Sequence, residues 1–427
     1  MSATFSRALV LLVLLMLVGC KSYMRNDRRC APPCPESRGT TLDAPASTYQ
    51  YPDAAIFEKL AKDLIPPGEP PPNRRKYEIL AVSGGGKYGA YPAGVICGWT
   101  ALGTRPVFDI ATGVSTGSYV AAFAFLGPKY DDALKRFYTT ITKKDVLRNR
   151  YYVAIPFSAS FASSAPLRNL IDKSITDEVI ADLAIAHGEG RRLFIGTTNL
   201  DTKRLCVWDV TAIAAADRPD KRKLLIDIFL ATASVPGEFP PVRIDIEVNG
   251  QKYTELHVDG GVTSEVFARL VLLNVTKEQL DSGPRPLAGS NIHVLLAGKL
   301  FADPQCTEPK LLGILGSSIG SLIYAMTQND LLRIGYLGVL TGISPRFTAV
   351  PKDFVDDGDA LNFEPVGMTK LFNLGYEVGS TGNGWRTRAP ATDKDEQSVP
   401  RTGTKFAIPN LPAPGVYGGP LLNAMKR

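Results

Sequence analysis

The rhythm of apolar and polar positions changes several times along this chain, and the changes mark its parts. Residues 8–18 form the first apolar run, directly after Arg7. The run is too short for a bilayer, which takes about 20 residues, and it has the shape of a signal-peptide core. From Lys21 to about Arg75 the rhythm dissolves into proline and polar residues, ending in Ile65-Pro66-Pro67-Gly68-Glu69-Pro70-Pro71-Pro72, with a helix predicted only over 54–64. Strand and helix patterns then alternate. Apolar strands are predicted over 77–82, 107–110, 193–199, 205–210 and 291–297, and helices over 92–102, 118–126, 131–140, 221–233 and 264–275. One or two short helices fit 166–186, and residues 151–165 read as a loop or lid. Residues 242–248 and 252–258 flank Asn249-Gly250, a strong type I′ hairpin signal.

This alternation predicts an α/β domain with a mostly parallel central sheet and helices on both faces. The expected organisation is a leader over 1–19, a Pro-rich tether over 20–76, the α/β domain over 77–300, an apolar helical extension over 301–345 and an irregular tail over 346–427. The extension is unusually apolar from Leu311 to Met326, but its glycines and serines make it a poor membrane span, so a core-packed helix is expected. The whole chain of 427 residues is 44% hydrophobic and 21% charged, which is ordinary for a globular protein, and its net charge of +6 is modest. No basic cluster is dense enough to suggest nucleic acid.

Three stretches carry candidate chemistry. The first strand runs into Ser83-Gly84-Gly85-Gly86-Lys87-Tyr88-Gly89, and a helix follows. A nucleotide-binding fingerprint would want an acid about 20 residues on, but Asp109, at about that distance, lies on the strand entering the next motif. A phosphate loop ending in Lys-Ser or Lys-Thr is also missing. Backbone N–H groups converging on a negative oxygen suit the glycines better. The second stretch, Gly113-Val114-Ser115-Thr116-Gly117 between strand and helix, has the spacing of a nucleophile elbow. The third, Val258-Asp259-Gly260-Gly261, puts a carboxylate at a strand end before a glycine turn.

A serine nucleophile needs a base, and the chain has three histidines. His187 falls in a polar loop, His293 inside a buried-strand pattern, and His257 two residues before Asp259. None follows an acid from a loop setting, as a hydrolase triad requires. A Ser115–Asp259 pair fits what is present. No cysteine or histidine cluster has metal-site spacing, so neither metal nor cofactor is expected. Cys30 and Cys34, in the tether, are placed to close a small disulfide, and Cys97, Cys206 and Cys306 read as small core residues.

Two resemblances add to this reading. Leu17-Val18-Gly19-Cys20 resembles the lipobox of bacterial lipoproteins, which implies cleavage before Cys20, its acylation, and an anchored protein in the cell envelope. Lys21, in place of an aspartate, favours the outer membrane facing the periplasm. The stretch from Tyr77 to Gly298 resembles the patatin-like phospholipases. The resemblance rests on Gly84-Gly85-Gly86-x-x-Gly89, Gly113-x-Ser115-x-Gly117, Asn199-Leu200-Asp201-Thr202, Ala233-Ser234-x-Pro236-x-x-Phe239-Pro240-Pro241 and Asp259-Gly260-Gly261, in that order. It implies a three-layer fold in which Ser115 is nucleophile, Asp259 is base and the Gly84–Gly86 backbone is the oxyanion hole. Gly89, Gly113, Gly117, Gly260 and Gly261 would support these motifs. The implied reaction is hydrolysis of a lipid ester at a membrane surface. Tyr88 stands where many members carry a basic residue, and Val262-Thr263-Ser264-Glu265 replaces the asparagine-rich turn often seen after Asp-Gly-Gly. A non-catalytic lipoprotein using the same fold to bind a lipid or a partner is the alternative function.

Overall fold

Both faces of the central strands are apolar, so the sheet needs cover on each side. In β1 (Glu78–Val82), Ile79 and Ala81 enter one core while Leu80 and Val82 enter the other, all at most 1% exposed. The computed structural model describes residues 75–150, 158–248, 251–268, 285, 287–300, 302–303, 306–355 and 359–388. The leader, Cys20, most of the tether with Cys30 and Cys34, the Asn249-Gly250 turn and the tail beyond 388 lie outside the described residues.

After β1 come a short 3-10 turn (Gly86–Gly89), α1 (Ala90–Leu102), β2 (Ile110–Val114), α2 (Thr116–Leu126), α3 (Asp131–Thr140) and α4 (Lys143–Val146). The small β3 (Arg148–Asn149) and β4 (Ala162–Ser163) precede α5 (Ala165–Ser174), α6 (Asp177–Gly188), β5 (Arg192–Asn199), β6 (Arg204–Asp209), α7 (Val210–Ala215) and α8 (Lys221–Thr232). The hairpin β7 (Val242–Val248) and β8 (Gln251–Asp259) is followed by β9 (Asn291–Lys299), α9 (Leu311–Thr341), β10 (Ser344–Val350) and α10 (Pro365–Thr381). The sheet order is β10-β9-β1-β2-β5-β8-β7, with β6 also paired to β5. Pairing is parallel from β10 to β5 and antiparallel among β5, β6, β7 and β8.

Three expectations need correction. The second strand starts at Ile110 rather than at residue 107 and runs through Gly113 to Val114, because glycine there is needed for close packing rather than for a turn. Residues 264–268 are not helical, since Asp330 takes up their N–H groups in a loop. The chain beyond Ser344, expected to be irregular, forms an edge strand and a 17-residue helix. The reason is tertiary: Gly94 and Gly98 of α1 meet Gly375 and Gly379 of α10, and a Cβ on any of them would strike backbone of the other helix.

The apolar extension is α9, and its two halves differ. Leu331 and Ile334 are buried with Phe347 of β10, whereas Leu311, Ile319 and Leu322 are more than half exposed. Only its C-terminal half is the core helix expected. No helix among the described residues is long and apolar enough to cross a membrane.

Candidate active site

One handover along β5 builds the site. Up to Gly196, β5 pairs with β2, whose Val114 is its last partner; from Thr197 it pairs with β8, beginning at Asp259. β6 occupies the other edge of β5 throughout this stretch, so β2 and β8 share one edge. The residue after Val114 is therefore brought opposite the end of β8. That residue is Ser115.

Ser115 has φ 51° and ψ −129°, in the half of conformational space that side chains other than glycine's avoid, and it caps the first turn of α2. Strain of this kind persists only where the surroundings enforce it. Here the enforcement is visible. The Ser115 N–H donates to Thr232 Oγ1 at 2.9 Å, which itself donates to the Gly196 carbonyl at 2.6 Å, and the Ser118 N–H and hydroxyl both bond the Ser115 carbonyl. Gly117 lies against the Val82 and Ser83 carbonyls, where a Cβ would collide. The sequence expectation of a sharp strand-to-helix elbow is what the backbone adopts.

The Ser115 side chain neighbours the Asp259 carboxyl and lowers its proton affinity. Asp259 also accepts the Gly261 N–H at 2.8 Å, and its own N–H donates to the Ser234 carbonyl at 2.9 Å. Burial pushes the Asp259 carboxyl up to about 7, while Ser115 and the Gly261 N–H pull the other way. Gly260 is pressed against the Gly196 carbonyl, which fixes the turn after the carboxylate.

The glycine loop sits beside this pair. A Cβ on Gly84 would lie 3.3 Å from Ser115 Cβ. Gly85, at φ 148°, has no room for a Cβ against the Ala297 carbonyl oxygen. The three glycines are not equivalent. Gly84 donates its N–H to the Glu265 carbonyl at 3.1 Å, whereas the N–H groups of Gly85 and Gly86 donate to no acceptor among the described residues. Gly89 packs on Thr116 and Tyr138, holding the loop against the elbow helix.

The histidines are elsewhere. His257 is fully buried, with Nδ1 2.9 Å from Thr197 Oγ1 and Nε2 3.0 Å from Glu255 Oε2, so both nitrogens are engaged. His293 bonds Glu78 at 2.8 Å and packs edge-on to Trp99. Its register partner Leu80 is level with Ala111, four residues short of Ser115, or roughly 13 Å along the strand. His187 lies in the last turn of α6, not in a loop. Asn199, from another sequence motif, accepts the N–H groups of Asp201 and Thr202 and so closes the β5–β6 turn.

Three side chains at the site were not singled out from the sequence. Thr232 anchors the elbow one residue before Ala233-Ser234. Glu265 lies between the Gly84 loop and the Asp259 turn, and Asp330 of α9 accepts from the Ser264 hydroxyl at 2.9 Å and the Glu265 N–H at 3.0 Å. Asp330 had a signal of its own, as the first charge after the uncharged run from Leu311 to Asn329. No group of metal-ligating side chains is present among the described residues.

Residues 80–272 match the family model of patatin-like phospholipase. The α/β architecture with its mostly parallel sheet accords with the patatin-like fold. No curated protein matches the chain. Among solved structures, the crystal structure of VipD from Legionella pneumophila is similar over 73% of this chain and 68% of that one, at 12% identity and a TM-score of 0.36. A likeness of that size bears no weight.

Proposed function

We propose that this protein is a serine lipid acyl hydrolase with Ser115 as nucleophile and Asp259 as its base. The observation that carries the reading is a strained elbow serine within reach of one buried carboxylate, while His257 and His293 are held by other partners. The family match supports lipid esters as the substrate class.

In this mechanism the Ser115 O–H proton passes to ionised Asp259 as Oγ attacks the ester carbonyl carbon. The carbonyl oxygen becomes an oxyanion and accepts from the N–H groups of Gly85 and Gly86, with the N-terminus of α2 adding favourable potential. Collapse breaks the bond to the alcohol oxygen, which takes the proton from Asp259 as it leaves. Water then gives a proton to Asp259 as its oxygen attacks the acyl-serine, and collapse breaks the acyl–Oγ bond, returns that proton from Asp259 to Ser115 Oγ and releases the carboxylic acid. Gly84 serves this scheme by close approach rather than as a donor. By the lipobox reading, Cys20 is acylated and the domain works from the bacterial cell envelope on a membrane surface.

The test is product analysis by lipid mass spectrometry, using full-length protein in detergent with mixed phospholipids, beside Ser115→Ala. Fatty acid release by wild type alone, with fluorophosphonate labelling at Ser115, is the expected result. Equal release by both proteins sinks the assignment.

A further inference from the structure

Glu265 belongs to no step of that mechanism, yet its carboxyl is built into the site. Its Oε2 is 2.5 Å from where a Gly84 Cβ would be, and that same point is 3.3 Å from Ser115 Cβ. Its Oε1 is 2.5 Å from where a Gly261 Cβ would be, a point itself 3.2 Å from Asp259 Oδ1. The carboxyl thus bridges the glycine loop and the Asp259 turn, in space that exists only because both positions are glycine. Its backbone is fixed at both ends, the carbonyl by Gly84 and the N–H by Asp330.

Two carboxyl groups this close in a buried site do not ionise together readily. Hydrogen bonding decides which holds the proton. The Asp259 carboxylate is favoured by Ser115 and the Gly261 N–H, whereas Glu265 is disfavoured as an anion first by burial and then by the charges of Asp259 and Asp330. The other charged group on α9 near them, Arg333, is 3.9 Å from Asp330 Oδ1 and faces that residue. Lys87, just after the glycine loop, has its Nζ over the Tyr88 ring.

Resting on the Ser115–Asp259 reading, we propose that Glu265 is a positioning residue that works as the neutral partner of Asp259. By staying protonated it leaves Asp259 as the anion facing Ser115. While neutral it adds no negative charge beside the forming oxyanion; its ionisation places one there and stops attack. Activity then rises with pH as Asp259, raised by burial, ionises, and falls again as Glu265, raised by burial and by the charges of Asp259 and Asp330, ionises.

The experiment is the pH profile of kcat/KM for p-nitrophenyl butyrate with the full-length protein, after subtraction of the Ser115→Ala background. Glu265→Gln keeps size and stays neutral, so it is expected to lose the alkaline fall, whatever its maximum rate. At 1.5 pH units above the wild-type alkaline midpoint, each protein taken relative to its own maximum, it should exceed wild type by about tenfold or more. Glu265→Asp, which restores a titratable group on a shorter stem, is expected to regain an alkaline limb at a shifted pH. An unchanged limb in Glu265→Gln overturns the proposal, and so does an unshifted limb in Glu265→Asp if the glutamine variant does not fold. Either outcome leaves the parent reading intact as long as Ser115→Ala is inactive and wild type labels with fluorophosphonate. Loss of that difference means instead that the hydrolase reading has failed.

Discussion

The two ends of the parallel sheet treat acidic groups in opposite ways. At the starts of the strands the carboxylates have complements. Glu78 takes hydrogen bonds from Asn291 at 2.7 Å and from His293 at 2.8 Å, Asp109 pairs with Arg75, and the Tyr77 N–H bonds Ser290. Despite burial that pushes it up, the Glu78 carboxyl is held low by those bonds. At the far ends, Asp259, Glu265 and Asp330 gather in one buried region, and all three are raised chiefly by desolvation. One end pairs its carboxylates. The other collects acidic groups whose proton affinity is raised, an arrangement that makes sense where proton affinity is the product.

The sharpest way to break this contrast is Asp259→Asn. Without the proposed base, esterase activity is expected to fall on the order of 10³-fold or more in steady-state assays. The same change should stabilise the fold at neutral and alkaline pH. A carboxyl raised from 3.8 to about 7 binds more protons folded than unfolded, so its contribution to stability is complete below pH 3.8 and lost as pH rises through 7. Thermal melts should therefore show Asp259→Asn above wild type at pH 8, by about 2–4 °C for each kcal/mol recovered, and level with it below pH 4. A lower melting temperature at pH 8 would mean that Asp259 is a structural cap.

At the paired end the signs reverse. His293→Phe keeps the aromatic contact with Trp99 but removes a bond from Glu78; it is expected to cost about 1–3 kcal/mol in denaturant unfolding and to leave kcat/KM within about twofold. Glu78 is a depressed carboxyl, so its contribution is present above its ordinary value of 4.5 and lost as pH falls through the lowered one. Glu78→Gln should thus lose its deficit against wild type on acidification, a smaller effect because the side chain is 30% exposed. Smallest of all is Leu322→Ser on the outer half of α9, where a shift within about 0.5 kcal/mol is expected.

Much of this was readable in order along the chain. Apolar runs of strand length, separated by helical ones, gave the layers, and Gly113-x-Ser115-x-Gly117 and Asp259-Gly260-Gly261 stood out as glycine patterns at positions where a side chain would meet backbone or a neighbouring carboxyl. His257 and His293, both inside strand patterns, are each held by a carboxylate. Other features had no local trace. Gly94 and Gly98 signalled a close neighbour but not that it lay near residue 375, since a helix face records the shape of its partner and not its address. Glu265 stood out only as a departure from a familiar turn.

By itself the sequence determined most element types up to the Asp259 turn, the elbow and the titratable side chains on offer, because steric demands of glycine and apolar periodicity act over a few residues. Tertiary structure decided the rest. Changing partners on β5 between Gly196 and Thr197 set Ser115 against Asp259 across a long sequence separation, and folding of Gly84, Glu265 and Asp330 together gave the N–H of Gly84 to a carbonyl instead of to an oxyanion. Proton affinity in such a site follows from burial and from the charges nearby, and both exist only once distant segments have met.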